Sequence, residues 1–243
     1  MPNDEDRGFD WGQVMALPPP PGGNLVPSPQ VLHFYPLGKS VWDHPSTAAY
    51  IKGHLQKAKV FESDADHLRY AVDSISIPGA ILEMGVCTGR SVNFIAALCP
   101  KATIHGFDSF EGLPDDWSER NISKGTFQFA DHTFRPPVLN NVRLYAGLFE
   151  ESLPVFNKKI LKDQPIAFLH LDADIYQSTK TVFKYLGGHI KPGTILVFDE
   201  YFNYPGWENH EYKAFQEFIS SSGLSYDYIS YNSLHEQVAV RIK

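Results

Sequence analysis

Short apolar runs alternate with amphipathic stretches along most of the chain. The apolar runs predict strands over residues 80–84, 103–107, 142–145, 166–171 and 194–198. Apolar residues at helical spacing predict helices over residues 91–98, 178–186 and 210–221. Two β-rich segments, 225–230 and 237–242, are joined by a short connection and predict an antiparallel pair. This alternation predicts an α/β fold with a Rossmann-like, doubly wound sheet of seven strands, mostly parallel with a C-terminal antiparallel strand.

The part of the chain before residue 79 has a different composition. Residues 1–40 are rich in proline, which predicts an extended or disordered arm. Residues 41–78 predict a helical extension, with one helix from Ser46 or Thr47 to about Val60 and a second from Ser63 or Asp64 through Ile75. A break at 78–79 then begins the main domain, which we assign to residues 79–243.

Composition limits the classes of partner. A chain of 243 residues with 43% hydrophobic and 20% charged residues is typical of a soluble globular domain. The net charge of −7, without a block of basic residues, argues against nucleic acid, and the sequence contains no apolar run long enough for a membrane helix. Cys87 and Cys99 are too few for a disulfide framework and predict a reducing, cytoplasmic location. The segment before residue 79 is a candidate contact for a homodimer.

The connection after the first apolar run carries a sparse glycine pattern. Glu83, Gly85 and Gly89 form E-x-G-x-x-x-G, which lacks one glycine of the G-x-G-x-x-G pattern of dinucleotide sites. An acid, a tight turn and a helix N-terminus of this kind are typical of S-adenosylmethionine sites, so Thr88 and Ser91 are also candidate cofactor ligands. A purely structural turn is the alternative.

Further cofactor candidates follow the second and third predicted strands. Asp108 lies 25 residues after Glu83, where an acid can accept hydrogen bonds from ribose hydroxyls; a cap of its own loop is the less favoured alternative. Ser109 and Gly147 belong to the same two strand ends, and Phe110 and Phe149 are positioned to flank an adenine ring. The long connection 109–141 predicts a functional loop.

Acids also end the fourth and fifth predicted strands. Asp172 and the pair Asp199-Glu200 should converge, because adjacent parallel strands lie about 4.8 Å apart. Carboxylates that converge repel one another unless a cation or proton lies between them, and oxygen ligands favour Mg²⁺. Asp172, Asp199 and Glu200 are therefore the predicted metal ligands. Asp174 can join this site or cap the next helix, and a cap or a supporting role is the favoured assignment.

Three segments together resemble the macrocin O-methyltransferase (TylF/MycF) family. They are Phe107-Asp108-Ser109-Phe110-Glu111-Gly112-Leu113-Pro114, His170-Leu171-Asp172-Ala173-Asp174-Ile175-Tyr176-Gln177-Ser178-Thr179, and Lys191-Pro192-Gly193 leading to Asp199-Glu200-Tyr201. The resemblance spans residues 79–205 and implies S-adenosylmethionine and Mg²⁺ as cofactors and a sugar hydroxyl, or another small-molecule hydroxyl, as methyl acceptor. The spacing of 27 residues between Asp172 and Asp199 agrees with the family, whereas Glu200 replaces its second aspartate.

The resemblance implies in-line methyl transfer from a sulfonium to an oxygen, for which a general base can be required. Asp172, His132 and His210 are the candidate catalytic residues. His170, inside an apolar strand, is assigned to the core. Loop aromatics are candidates for a substrate wall or for ordinary packing: Trp117, Phe134, Tyr201, Tyr204 and Trp207.

Other functions stay open at this point. A metal-independent methyltransferase and a non-catalytic S-adenosylmethionine-binding protein share the cofactor motif. A nicotinamide oxidoreductase is disfavoured by the glycine spacing, and a metal-dependent hydrolase leaves the spacing from Glu83 to Asp108 unexplained.

Overall fold

The computed structural model describes residues 44–131 and 133–243. The predicted arm over residues 1–40 and the candidate base His132 therefore lie outside the described residues.

Within the described residues the chain forms one sheet of eight strands. The strands are β1 (Lys59–Phe61), β2 (Ala80–Met84), β3 (Ile104–Asp108), β4 (Val142–Ala146), β5 (Ile166–Leu171), β6 (Ile190–Phe198), β7 (Tyr226–Asn232) and β8 (Val238–Ile242). Their order is β1-β7-β8-β6-β5-β2-β3-β4, and β8 alone among them runs antiparallel to its neighbours. The predicted Rossmann-like, mostly parallel sheet is confirmed, with β1 as an additional edge strand.

Helices cover both faces of this sheet. They are α1 (Pro45–His54), α2 (Asp64–Asp73), α3 (Arg90–Leu98), α4 (Phe149–Phe156), α5 (Tyr176–Leu186) and α6 (Glu211–Ser222). Successive strand residues point to opposite faces, so Ile81 joins the apolar cluster on one face and Leu82 the cluster on the other. The central strands β2 and β5 are buried along their whole length.

The extension before β2 differs from the sequence prediction. Helix α1 begins at Pro45 with His44 as N-cap and ends at His54, so the prediction of a helix to about Val60 was wrong. Val60 lies in β1, where it is opposite Tyr231 of β7. Helix-favouring residues continue through this segment, and pairing with a strand far along the chain decides its conformation instead. The second helix was predicted with its N-cap, since the Ser63 side chain accepts a hydrogen bond from Asp66 N at 3.2 Å, but it ends at Asp73 and not at Ile75.

Candidate active site

The strand register brings several predicted site residues to one edge of the sheet. Met84 lies opposite Phe107 of β3 and Leu171 of β5, and Leu171 lies opposite Phe198 of β6. The residues that follow these four positions are Gly85, Asp108, Asp172 and Asp199. In an open α/β sheet, ligands bind beyond this carboxyl edge.

Gly85 lies where the β2 and β5 ends approach most closely. Its φ is +93°, and a Cβ added there would lie 1.8 Å from the carbonyl oxygen of Asp172. The same approach lets Asp172 N donate to Met84 O at 2.9 Å, while Gly85 N donates to Phe107 O at 2.8 Å. The glycine therefore sets the position of Asp172 as well as that of the turn.

Asp108 holds the turn after Gly85 in place. Its Oδ2 accepts hydrogen bonds from the backbone N–H of Val86 at 2.8 Å and of Cys87 at 2.7 Å, and its Oδ1 accepts one from Phe110 N at 2.6 Å. Asp108 thus caps its own loop, which was the alternative interpretation, and it also connects that loop to the glycine turn by hydrogen bonds. A carboxylate has about four acceptor positions, so about one is left for a ligand.

A cavity of about 290 Å³ opens at this edge. Its wall contains most of the predicted site residues: Gly85, Thr88, Ser91, Asp108, Ser109, Phe110, Gly147, Phe149, Asp172, Asp199 and Glu200. The long β3–β4 connection contributes Phe127 and Phe129 beside Phe110, so its prediction as a functional loop agrees with its place in the wall.

Several predicted residues lie elsewhere. Glu83 is fully buried behind the wall, and Gly89 is the N-cap of α3, packed against Pro136. His210 is also outside the wall: it is 7% exposed, and its Nε2 lies 3.0 Å from Glu119 Oε2. His210 is therefore corrected from a candidate base to a residue that anchors the β3–β4 connection.

The proposed aromatic substrate wall is likewise wrong. The rings of Trp117, Tyr201, Tyr204 and Trp207 are at most 2% exposed and belong to the apolar core. Phe134 packs against Phe129 with ring centroids 4.4 Å apart. The packing alternative holds, because aromatic rings of the two loops pack against each other, as those of Trp117 and Tyr204 do at 5.5 Å between centroids.

Three carboxylates in the wall form a compact acidic cluster. Ligand oxygens of Asp172, Asp174 and Glu200 all lie within 4.8 Å of one another. Burial and the neighbouring acids raise the pKa of Asp172 and of Glu200 well above their usual ranges. Glu200 Oε2 is buried without a hydrogen-bond partner among the described residues. An oxygen-only cluster whose members disfavour one another's ionisation fits a hard divalent cation.

Asp199 is engaged differently from the prediction. Its Oδ1 lies 3.8 Å from His170 Nε2 and accepts a hydrogen bond from Gln237 at 3.3 Å. His170 Nδ1 lies 3.0 Å from Glu83 Oε1, so the imidazole stands between two acids. Burial opposes ionisation of Asp199, but the imidazole outweighs it and lowers the pKa of this carboxyl. Asp174 thus takes the place in the compact cluster that the sequence assigned to Asp199. His170 is buried, as expected, but it also lies in the wall of the cavity.

Two ion pairs in the wall of the cavity were not predicted from the sequence. Asp64 Oδ2 lies 2.5 Å from Arg90 at the start of α3. Arg120 makes two hydrogen bonds to Glu236, at 2.7 and 3.0 Å, with both side chains nearly buried. Each pair joins distant parts of the chain, and charged residues in a loop or on a helix surface give no local indication of such a partner.

Comparison with known proteins agrees with this architecture. The family model for macrocin O-methyltransferase (TylF) matches residues 43–230. The 8-demethyl-8-(2,3-dimethoxy-alpha-L-rhamnosyl)-tetracenomycin-C 4'-O-methyltransferase of Streptomyces olivaceus is 29% identical over 56% of this chain and 59% of its own length. The chain thus spans less than two thirds of that relative.

Two solved structures share the fold. The calicheamicin methyltransferase CalS11 superimposes with a TM-score of 0.58 at 22% identity, over 82% of this chain and 87% of that one. The O-methyltransferase NovP superimposes with a TM-score of 0.52 at 20% identity, over 72% and 78%. Within the described residues, no helix combines the length and the apolar character that crossing a membrane requires. Since the family model covers most of the sequence, the chain belongs to the macrocin O-methyltransferase (TylF) family.

Proposed function

We propose that this protein is an S-adenosylmethionine-dependent O-methyltransferase that methylates a hydroxyl of a glycosylated small molecule with the help of Mg²⁺. The observation that carries the proposal is that one cavity is lined both by the glycine turn with Asp108 and by the acidic cluster. A methyl donor on the turn and a hydroxyl beside the cluster would share one space. Family membership supports the same chemistry.

The turn side of the cavity suits the donor. The first N–H groups of α3 lie beside Ser91 and favour a carboxylate such as that of the methionine moiety. Asp108 has about one acceptor position left for a ribose hydroxyl. Phe110 lines the cavity, and the Arg135 guanidinium lies 4.5 Å from its ring centroid. Phe149 stands in the same wall.

The acidic side suits a cation and an acceptor. Asp172, Asp174 and Glu200 are the residues that would hold Mg²⁺, with Asp199 beside them. A bound divalent cation lowers the pKa of a coordinated hydroxyl and orients it. Of the two candidate bases that the structure describes, Asp172 lines the cavity and His210 does not, so the Asp172 carboxylate is assigned to accept the hydroxyl proton.

The remaining wall suits a hydroxyl-rich acceptor. Arg120, Glu236 and Gln237 add polar side chains to the wall of the cavity. A few polar groups of this kind orient a ligand through hydrogen bonds. The Streptomyces relative is named for an acceptor that carries a rhamnosyl group, which makes a rhamnosyl-tetracenomycin the first acceptor to test.

Methyl transfer is tested by incubating the protein with S-adenosylmethionine, Mg²⁺ and either that glycoside or its aglycone. Mass spectrometry should detect S-adenosylhomocysteine and a methylated glycoside, and EDTA should abolish both. Asp172→Asn should lower kcat by at least about 100-fold because it removes a cation ligand and the base. Asp163→Asn changes an exposed aspartate and is the matched control.

The outcomes separate the alternatives. Turnover that is insensitive to EDTA would favour a metal-independent methyltransferase. Tight cofactor binding without turnover on any hydroxyl acceptor would favour a non-catalytic binding protein. Calorimetry in which NAD binds and S-adenosylmethionine does not would contradict the proposal as a whole.

A further inference from the structure

Glu211 is a buried acid that connects two loops of the candidate site. It is the first residue of α6 and is 0% exposed. Its Oε1 accepts a hydrogen bond from Ala173 N at 3.3 Å, and its Oε2 accepts one from Glu200 N at 3.1 Å. One side chain therefore spans the loop after β5 and the loop after β6.

Those two loops carry the acidic cluster. Ala173 lies between Asp172 and Asp174, and the second backbone N–H belongs to Glu200 itself. The cluster carboxylates repel one another, so without a connection between the loops their side chains are free to separate. Both carboxylate oxygens of Glu211 are used on the backbone, and Glu211 does not line the cavity. Its contacts are thus with the loops that carry the ligands.

The choice of residue type supports this role. Glutamine at this position could accept only one of the two hydrogen bonds, because its amide nitrogen would face a backbone N–H. Placing another acid close to a cluster of acids costs free energy, which the position at the start of α6 partly offsets through the helix dipole. A fully buried acid beside other acids is tolerated only when hydrogen bonds compensate its burial, and here a carboxylate can accept both of the backbone hydrogen bonds.

We propose that Glu211 is a positioning residue that fixes the separation of the β5 and β6 loops, so that Asp172, Asp174 and Glu200 present their oxygens to one divalent cation. This inference rests on the cation of the proposed function. It assigns Glu211 no contact with cofactor or acceptor. It makes the affinity for the cation, and not that for S-adenosylmethionine, the property that Glu211 controls.

The test is to measure the binding of Mn²⁺, a probe for Mg²⁺ sites, to the folded Glu211→Gln variant by electron paramagnetic resonance. The Kd for Mn²⁺ should rise by about 10- to 100-fold, the usual effect of losing a residue that orients metal ligands. The Kd for S-adenosylmethionine, measured by calorimetry without metal, should stay within about twofold. A role in folding alone would lower the melting temperature without changing the Mn²⁺ affinity of the folded protein.

Glu217→Gln is the matched control on the same helix. Glu217 is exposed, and its contacts are with two side chains of α5, the Tyr176 hydroxyl at 2.8 Å and Lys180 at 3.4 Å, and not with the backbone of either loop. This variant should leave both affinities unchanged. An equal loss of Mn²⁺ affinity in the two variants would overturn the proposal.

The remaining outcomes separate this inference from the proposed function. Wild-type binding of Mn²⁺ that Glu211→Gln leaves within about twofold overturns the positioning role alone. Absence of Mn²⁺ binding by the wild-type protein overturns the cation and the positioning role together. If Glu211→Gln does not fold, amide hydrogen exchange of the wild-type protein decides. The N–H groups of Ala173 and Glu200 must then be protected before any cation is added, and rapid exchange at both overturns the proposal.

Discussion

Replacing Gly85 with alanine tests the close approach of strands β2 and β5. The added Cβ would lie 1.8 Å from the carbonyl oxygen of Asp172, a backbone atom that no rotamer change can move away. The φ of +93° is also unfavourable for an L-residue. Gly223→Ala is the matched control, because its φ is +71° but a Cβ there meets nothing within 4 Å.

Both variants place alanine in left-handed backbone, but only Gly85→Ala also introduces a clash. Left-handed backbone costs roughly 1–2 kcal/mol in alanine, and the reduced entropy of the unfolded chain returns roughly 0.4–1 kcal/mol. Gly223→Ala should therefore destabilise by about 1 kcal/mol. Gly85→Ala adds overpacking of about 1–3 kcal/mol and weakens the Asp172 N to Met84 O hydrogen bond, worth about 1 kcal/mol. Its total is about 4 kcal/mol.

Thermal unfolding followed by circular dichroism measures the difference. For a protein of this size, 1 kcal/mol corresponds to about 2–4 °C. We expect the melting temperature to fall by about 3 °C for Gly223→Ala and by about 10 °C or more for Gly85→Ala. Melting temperatures for the two variants that agree within about 2 °C would refute the assignment of Gly85 to this approach.

Two further predictions concern buried ionisable side chains. Arg120→Met leaves the nearly buried Glu236 carboxylate without its bidentate partner, so the free energy of unfolding in urea should fall by about 3–5 kcal/mol. Adding Glu236→Gln should recover part of this stability. A double variant that is no more stable than Arg120→Met would contradict the importance of the pair. Burial lowers the pKa of His67 to about 4, below its value of about 6.5 in an unfolded chain, so its contribution to stability is present above about pH 6.5 and is lost as the pH falls towards 4. Between pH 7 and 5.5 the wild type should therefore lose about 1 kcal/mol more unfolding free energy than His67→Leu, and an equal loss in both proteins would contradict the cause given.

The central part of the fold was predictable because its local pattern and its tertiary role agree. The run Ile166–Leu171 is buried at every position and was predicted with the observed bounds. Strand β1 was not predicted, because three residues with one aromatic side chain carry little pattern, and their pairing partner in β7 lies far along the chain. Helix α4 was also missed, since Pro154 interrupts its pattern.

The candidate site was predictable to the level of strand ends but not of side-chain direction. Parallel strands bring Asp172, Asp199 and Glu200 to one edge, as the sequence indicated. Which oxygens meet depends on contacts across the fold: His170 and Gln237 engage Asp199, while Asp174 turns towards Asp172. The backbone at Asp174 has a φ of +60°, a conformation that sequence spacing does not indicate. The same limit applies to Arg120, whose partner Glu236 lies 116 residues away.

The proposed function depends most on a methyl donor and a cation sharing the cavity at the carboxyl edge of the sheet. A crystal soaked with S-adenosylhomocysteine and Mn²⁺, measured at the manganese absorption edge, tests this directly. We expect one anomalous peak at about 2.2 Å from oxygens of Asp172, Asp174 and Glu200, with the adenosine beside Phe110 in the same cavity. Adenosine bound outside this cavity, or the absence of a manganese peak at the acidic cluster, would contradict the proposed function.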